Sequence, residues 1–298
     1  MNTKYNFESG FRLANIISII FVLGSLTLIF FKGLNFGIDF KGGTLIELRV
    51  ETKNVVISDV RSSFSNMSLG DLNVKEFGSK GDYLIKFERK IFDKDINIKI
   101  IKENVKNSLQ SEVNFRRVEN VGPKVSEELL NSGLLAISLA LGAMLFYIWV
   151  RFEWQFSVGS ILAIFHDVLI TIGLFSLLSL EINLSIVAAV LTIVGYSMND
   201  TVVIYDRIRE NLSKFSSHKI GEISNTSINE TLSRTIITSA TTLLALISIF
   251  VLGGEILRGF ALAMIIGVII GTYSSIFVAS PILKYLKVSY KTILKENN

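Results

Sequence analysis

Cysteine is absent from the sequence, and histidine and proline occur only twice each. Without cysteine the chain has no disulfide, no reactive thiolate and no cysteine-ligated metal site. Two histidines are also too few to predict a zinc site. No nucleotide-binding motif occurs, and we expect neither a metal nor a cofactor nor an enzymatic reaction. Any work that the protein performs must therefore draw on another energy source or another subunit.

Long apolar runs dominate what is present. Half of the 298 residues are hydrophobic and the mean hydropathy is +0.50, which is too apolar for a soluble domain of this size. A spanning helix needs about 20 apolar residues, and six such runs occur, at about 13–31, 131–150, 156–180, 184–206, 235–253 and 259–283. The sequence predicts a polytopic α-helical membrane protein with six transmembrane helices. We interpret the first run as a retained anchor, because it is longer than a signal core and five more runs follow.

The positions of the positive charges predict the orientation. Basic residues flank the apolar runs and form no patch with interleaved aromatics, so the formal charge of +4 indicates membrane topology and not nucleic-acid binding. If the spans alternate, one side receives Lys4, Arg12, Arg151, Arg207, Arg209, Lys214, Lys219, Lys284, Lys287, Lys291 and Lys295. We therefore predict that both termini are cytoplasmic, with the first span in residues 1–33 and a tail in residues 284–298.

A polar segment at 34–128 separates the first two spans and is predicted to be extracytoplasmic. Its pattern predicts, in order, strand Thr44–Glu51, helix Ser58–Met67, a hairpin of strands Leu72–Phe77 and Tyr83–Glu88, helix Asp95–Leu109 and strand Val113–Val118. The order β-α-β-β-α-β is that of the ferredoxin-like fold. The sequence thus predicts one small α+β domain between the first two transmembrane helices.

Spans two to six should occupy residues 129–283, with a polar cytoplasmic loop at 207–233. The start of this loop can extend span four as a helix, and Thr226 or Ser227 can cap a short helix that leads to Arg234. A solvated connector is the simpler interpretation of the loop, and a partner-binding element stays open. The basic residues of the loop also suit the anionic lipids of a cytoplasmic leaflet.

Asp200 lies in the cytoplasmic third of span four, within an otherwise apolar run. A charge near the bilayer centre costs at least ~2.5 kcal/mol, so an acid there predicts a function. Arg234 enters span five from the same side and keeps its charge at any accessible pH. The pair can alternate between a salt bridge and a protonated, separated state. Sodium is an alternative ion, although the arginine favours protons. The structural alternative is a buried acid that only bonds neighbouring helices through Asn199, Tyr196 or Ser197.

A second acid, Asp167, follows His166 about halfway along span three. Adjacent residues on a helix do not share a face, so we expect one to pack and the other to relay protons. A purely structural contact with other helices stays equally open. In span six, Gly267 and Gly271 form a G-x-x-x-G pattern, which permits close helix packing. We expect that packing to be within the chain.

A glycine-rich piece, "FGIDFKGGT" at 36–44, follows the first span. It matches neither the dinucleotide fingerprint nor the P-loop, so the residues alone predict a turn and the entry to a strand. The piece is similar to the signature of the SecD/SecF family of bacterial protein-export membrane subunits. Further stretches resemble the SecF branch in the same order, namely "VGPKVSEELLNSG" (121–133), "FHDVLIT" (165–171), "TIVGYSMNDTVVIYDRIREN" (192–211), "TLSRTIITSATTLL" (231–244) and "GGEILRGFALAMIIGVIIGTYSSIFVASP" (253–281).

The resemblance implies a multi-pass protein of the bacterial cytoplasmic (inner) membrane, with the α+β domain on the periplasmic side. It implies one half of an RND-type transporter, with SecD as the other half, that acts with the SecYEG channel to complete preprotein export with the proton motive force. The expected partners are thus SecD, SecYEG, a translocating preprotein, protons and membrane lipids. The family's proton-pathway acid and arginine correspond to Asp200 and Arg234. The further candidates are Asn199, His166 and Asp167 for the pathway and Gly37, Asp39, Gly42 and Gly43 for the signature turn.

Two other functions remain open from the sequence. The first is half of an RND-type exporter of small molecules, which would need a homologous partner to reach about twelve spans. The second is a membrane scaffold that transduces no energy, in which case Asp200 would be dispensable. Export of secretory proteins and resistance to toxic solutes distinguish these possibilities.

Overall fold

The computed structural model describes residues 4–51, 55–67, 69–76, 78–87 and 98–294. By packing, the chain divides into two compact units. The helical unit comprises Met1–Asn35, Ala136–Leu180 and Ser185–Asn298, and the α+β unit comprises Phe36–Leu135 and Glu181–Leu184. The α+β unit therefore includes four residues from the connection between two membrane helices.

The elements follow one another along the described chain with short connections. The helices are α1 (Phe11–Phe31), α2 (Ile38–Lys41), α3 (Ile57–Ser65), α4 (Ile98–Leu109), α5 (Pro123–Arg151), α6 (Trp154–Leu177), α7 (Leu184–Lys214), α8 (Ile220–Leu252), α9 (Gly254–Ser274), α10 (Ser280–Tyr285) and α11 (Tyr290–Leu294). The strands are β1 (Asn35–Phe36), β2 (Gly43–Val50), β3 (Leu72–Glu76), β4 (Asp82–Phe87), β5 (Val113–Val121) and β6 (Glu181–Ile182).

Six helical segments are long and apolar enough to cross a membrane, and they confirm the six predicted spans. They are Glu8–Phe31, Val125–Arg151, Trp154–Leu177, Leu184–Lys214, Ile220–Leu252 and Leu257–Tyr285. Large apolar side chains are exposed on their surfaces, including Leu13, Phe146 and Leu244. Extensive exposed apolar surface is costly in water and is typical of a surface that faces lipid. The chain is therefore a multi-pass membrane protein.

A π-helical turn, Ser275–Ala279, joins α9 to α10 within the last span. Such turns widen the helix and disturb its regular hydrogen bonds, and they often occur at functional sites. Two hydroxyl groups bind backbone carbonyls of the turn. Tyr205 donates to the Ala279 oxygen at 2.9 Å, and Ser280 donates to the Ser275 oxygen at 3.0 Å. These bonds satisfy backbone groups in a segment that water does not solvate.

The α+β unit contains a four-stranded antiparallel sheet in the order β3-β4-β2-β5. Alternate residues of β2, including Ile46 and Leu48, are fully buried, because successive side chains of a strand point to opposite faces. Ile46 lies opposite Ile85 of β4 and Val118 of β5. Val60 and Phe64 of α3 and Ile101 and Val105 of α4 belong to the same core. The described elements follow the order β-α-β-β-α-β that the sequence predicts, which is the order of the ferredoxin-like fold.

The segment predicted as a polar loop at 207–233 is mostly helical, and the helical extension of the fourth span into it agrees with the sequence analysis. Helix α7 extends to Lys214 and α8 begins at Ile220, so only residues 215–219 connect them. Thr226 and Ser227, the predicted caps, lie inside α8. Ser227 accepts a hydrogen bond from Asn211 of α7 at 2.9 Å. Polar residues that pair between two helices do not end a helix. The sequence pattern alone does not distinguish such residues from the polar residues of a loop.

Element ends in the α+β unit also differ from the sequence predictions by a few residues. The last strand runs to Val121 and not to Val118, and the first helix spans Ile57–Ser65 and not Ser58–Met67. Three predicted element ends, at Phe77, Glu88 and residues 95–97, lie outside the described residues.

Candidate functional site

Asp200 lies on the buried face of α7, with 4% of its surface exposed. Thr235 of α8 donates its hydroxyl to Oδ1 of this carboxyl group at 3.2 Å. Within the described residues, the buried Oδ2 atom has no hydrogen-bond partner. A buried carboxylate is costly unless donors or a cation surround it. Oδ2 is therefore the oxygen of this carboxyl group whose burial no described donor offsets.

Arg234 directly precedes Thr235 on α8, so the chain places a cation beside the acid. Among the described side chains, however, Asp200 makes no direct ion pair, and Arg234 is exposed on the helical unit. The structure has the separated arrangement of the pair and not the salt bridge.

Asp167 of α6 is completely buried and joins three membrane helices. Its Oδ2 atom accepts hydrogen bonds from Ser197 of α7 and from Ser274 of α9, the latter at 2.7 Å. Its Oδ1 atom lies 2.8 Å from Nδ1 of His166. Although adjacent residues do not share a helical face, these two side chains meet beside the helix. Ser197, which donates to Asp167, lies three residues before Asp200 on α7. The contact with Asp167 and the side chain of Asp200 are therefore on the same face of this helix.

The two glycines of the G-x-x-x-G pattern face α7. A Cβ atom built on Gly267 would lie 2.3 Å from the Ile193 side chain, and one built on Gly271 would lie 3.0 Å from Cβ of Ser197. The close approach of α9 to α7 thus depends on these glycines. It confirms that the pattern packs within the chain, and it positions the helix that carries Asp200.

The glycine-rich piece contains the short helix α2 between Gly37 and Gly42 and then enters β2 at Gly43. Gly42 and Gly43 have φ angles of +77° and +131°, a region that favours glycine because it has no Cβ atom. The predicted strand entry is present, and a turn of helix precedes it. The Asp39 carboxylate accepts a hydrogen bond from the backbone N–H of Leu184, at the start of α7.

Comparisons with known families agree with these features. Residues 100–289 match the family described as protein export membrane protein SecD/SecF, C-terminal, and residues 27–53 match the SecD/SecF GG motif. This chain belongs to the SecD/SecF family. The GG-motif match contains the turn at Gly37 to Gly43, and the C-terminal match contains both buried acids.

Individual relatives match along most of the chain. It is 44% identical to the protein translocase subunit SecF of Rickettsia bellii, covering 94% of this chain and 92% of the relative. It is also 44% identical to SecF of Cereibacter sphaeroides, covering 91% and 86%. The crystal structure of SecDF from Thermus thermophilus superimposes with a TM-score of 0.83 at 36% identity. That match covers 99% of this chain but only 39% of the SecDF chain.

The structure does not bring together all the predicted residues of this SecD/SecF family member. Asp200 contacts Thr235, the residue after Arg234, and His166 and Asp167 form the second cluster. Asn199 is exposed on the other side of α7, because one residue along a helix turns the side chain by about 100°. In the described part of the chain, no group of three or more histidine, aspartate and glutamate side chains is arranged to hold a metal ion.

A polar network between α7 and α8 is not predicted by the sequence pattern. Glu230 of α8 accepts hydrogen bonds from Arg207 at 2.6 Å and from Asn211 at 2.7 Å, both on α7. Arg207 also pairs with Glu210 on its own helix. The i,i+3 spacing of that pair is a helical signal that the sequence displays. The partner on α8 has no such signal, because the polar pattern of residues 220–233 is also that of a loop.

Proposed function

We propose that this chain is a SecF-type subunit of the preprotein translocase that acts with SecD and uses the proton motive force to complete polypeptide export. The observation that carries the proposal is the buried carboxyl group of Asp200, which has one free oxygen and a cation on the next helix. In this proposal the chain is a transport component and not an enzyme.

The proposed cycle changes the proton occupancy of Asp200. In the ionised state the carboxylate attracts Arg234, which remains charged throughout. A proton on Oδ2 removes that attraction, and the two helices can then adopt the separated arrangement. Thr235 keeps its hydrogen bond to Oδ1 in this arrangement, so the acid does not lose all its partners. Asp167 holds α6, α7 and α9 together, and with His166 it forms the adjoining part of the proposed proton pathway.

The membrane potential supplies enough energy for such a switch. One charge that crosses ~100 mV is worth ~2.3 kcal/mol. This energy shifts a two-state equilibrium about 50-fold. A population change of that size is sufficient to drive a domain movement in one direction. The direction of export then follows if the moving domain prevents the exported chain from sliding back.

SecD is the proposed partner in the membrane. Asn199 and Arg234 are exposed on the helical unit although both lie on helices that are long and apolar enough to cross a membrane. Polar side chains on a membrane span require a partner or a hydrated cavity. A second six-span half would provide both, and the match to only 39% of the SecDF chain leaves room for such a half. The six lipid-facing helices make membrane lipids the remaining environment.

We further propose the SecYEG channel and a translocating preprotein as partners, in the bacterial cytoplasmic (inner) membrane. The distribution of basic residues supports a cytoplasmic position for both termini. The α+β domain, assigned to residues 34–128, then lies on the periplasmic side, where an emerging polypeptide is available. In this proposal the first span lies in residues 1–33 and the remaining spans lie in residues 129–283. The cytoplasmic tail is then residues 284–298.

Depletion and complementation test the proposed function. In bacteria depleted of this chain, we expect secretory precursors to accumulate, and a copy of the wild-type gene should reverse this. Asp200→Asn should not reverse it, whereas Asp206→Asn should. Asp206 is the matched control because it lies on the same helix, is 43% exposed and pairs with Arg151.

Other outcomes would identify the alternative functions. Sensitivity to toxic solutes without precursor accumulation would indicate a small-molecule exporter. Full complementation by Asp200→Asn would contradict the proton switch and indicate a scaffold. Membrane levels of each variant should be measured in parallel, because a variant that does not insert would not test the switch.

A further inference from the structure

The helix that carries Asp200 begins on a carboxylate from a distant part of the chain. Helix α7 starts at Leu184, and the first backbone N–H groups of a helix have no partner within the helix. Oδ2 of Asp39 accepts the N–H of Leu184 at 2.9 Å. A negative charge at this end also interacts favourably with the helix dipole. Asp39 therefore acts as a helix cap that is supplied by the GG-motif turn.

Three more features hold the segment that leads into α7. The Gly37 N–H donates to the Ile182 oxygen at 2.9 Å. A Cβ atom on Gly37 would lie only 3.3 Å from Cβ of Asn183. Lys86 of β4 forms an ion pair with Glu181. These contacts explain why residues 181–184 pack with the α+β unit although they lie between two membrane helices.

The covalent connections of the α+β unit do not lead to the proton site. Its chain continues into α1 on one side and into α5 on the other, and neither helix carries Asp200 or Arg234. Residues 181–184, which lead into α7 and include its first residue, pack with this unit. About 24 Å of uninterrupted helix separates Leu184 from Asp200, and no proline interrupts it.

We propose that Asp39 is a positioning residue that fixes the start of α7 to the α+β domain, so that movement of α7 at Asp200 is passed to that domain. The inference rests on the proposed function, because it assumes that Asp200 drives the movement. What it adds is the path by which movement of α7 reaches the α+β domain. The GG-motif turn is the joint between the proton helix and the domain, and loss of the joint uncouples the two.

Export of a preprotein into membrane vesicles, with and without an imposed proton gradient, tests the proposal. In Asp39→Ala we expect the stimulation by the gradient to fall about fivefold, the equilibrium factor that one lost helix cap represents. Asp39→Asn should retain most of the stimulation, because asparagine is also a good cap. The control is Asp59→Ala, since Asp59 caps α3 within the same domain by accepting the Val56 N–H at 3.1 Å. It should leave the stimulation unchanged.

A disulfide can replace the lost contact, since the chain has no cysteine of its own. Gly37→Cys and Asn183→Cys place two Cβ atoms about as far apart as in a disulfide, after a shift of a few tenths of an ångström. Gly37 has φ −74°, which a cysteine adopts without strain. Under oxidising conditions the pair should restore the gradient response of Asp39→Ala, and reduction should remove it again. If Asp39→Ala does not accumulate, the oxidised pair in the wild-type background should leave the response intact.

The outcomes separate this inference from the proposed function. If Asp200→Asn abolishes the gradient response and Asp39→Ala keeps it, the proton switch stands and the joint is refuted. A disulfide that fails to restore Asp39→Ala, or that blocks the wild-type response, also overturns the joint. If Asp200→Asn itself responds normally to the gradient, the proposed function fails first.

Discussion

Replacing Gly267 by alanine should weaken the packing of α9 against α7. The new Cβ atom would lie 2.3 Å from Cγ1, 2.4 Å from Cδ1 and 2.8 Å from Cγ2 of Ile193. Because both branches of Ile193 are involved, rotating its side chain relieves one clash only by creating another. The helices must therefore move apart. Overpacking of this kind costs typically 1–3 kcal/mol, and we expect a loss of about 2 kcal/mol in the free energy of unfolding.

Unfolding of the purified protein in detergent measures this loss. Gly142→Ala is the matched control, because Gly142 lies within α5 and, among the described residues, its new Cβ atom would meet nothing within 4 Å apart from its own stretch of helix. It should gain up to about 1 kcal/mol from the higher helix propensity of alanine. Ile193→Ala should cost less in the Gly267→Ala background than in the wild type, with a coupling of about 1–2 kcal/mol. The packing argument would be refuted if the two glycine variants were equally stable. It would also be refuted if the stability losses of Ile193→Ala and Gly267→Ala were additive.

Three further predictions concern other buried groups. Asp167→Ala should lower the free energy of unfolding in detergent by about 2–4 kcal/mol, because two buried hydroxyls lose their acceptor. Asp167→Asn should lower it less, and equal losses for the two variants would contradict this prediction. Burial, followed by the nearby carboxylates of Glu76 and Asp59, raises the pKa of the Tyr83 phenol. The stability from this neutral phenol is present below its ordinary pKa near ~10 and is lost as the pH rises above it. The stability difference between wild type and Tyr83→Phe should therefore shrink between about pH 9 and 11, and a constant difference would argue against it. Glu230→Gln should cost less than ~1 kcal/mol, because its ion pair is partly exposed; a loss much above that would show that the network between α7 and α8 is structurally essential.

Much of the fold follows from patterns that the sequence displays directly. The membrane spans were predictable because a bilayer requires long apolar runs. The order of elements in the α+β unit was predictable because strand and helix periodicities differ. The burial of a charged residue at position 200 was also suggested by its place in an apolar run, where a charge is costly to insert, whereas its role in proton transfer stays a prediction.

The remaining features depend on distant parts of the chain. The helix ends at Lys214 and Ile220 depend on pairs such as Asn211 with Ser227, which no local pattern reveals. The exposure of Asn199 depends on the rotation of α7, which packing against Gly267 and Gly271 sets. The contact between Asp39 and Leu184 joins residues that are 145 positions apart. A sequence motif can indicate that Asp39 matters, but not which helix it caps.

The most direct test of the proton switch is the rate of late preprotein export into membrane vesicles with the proton gradient imposed or collapsed. Wild type and Asp206→Asn should export several-fold faster with the gradient, and Asp200→Asn, at equal membrane level, should export at the same rate with and without it. If Asp200→Asn responds to the gradient as the wild type does, the buried acid is structural and the proton-switch account is wrong.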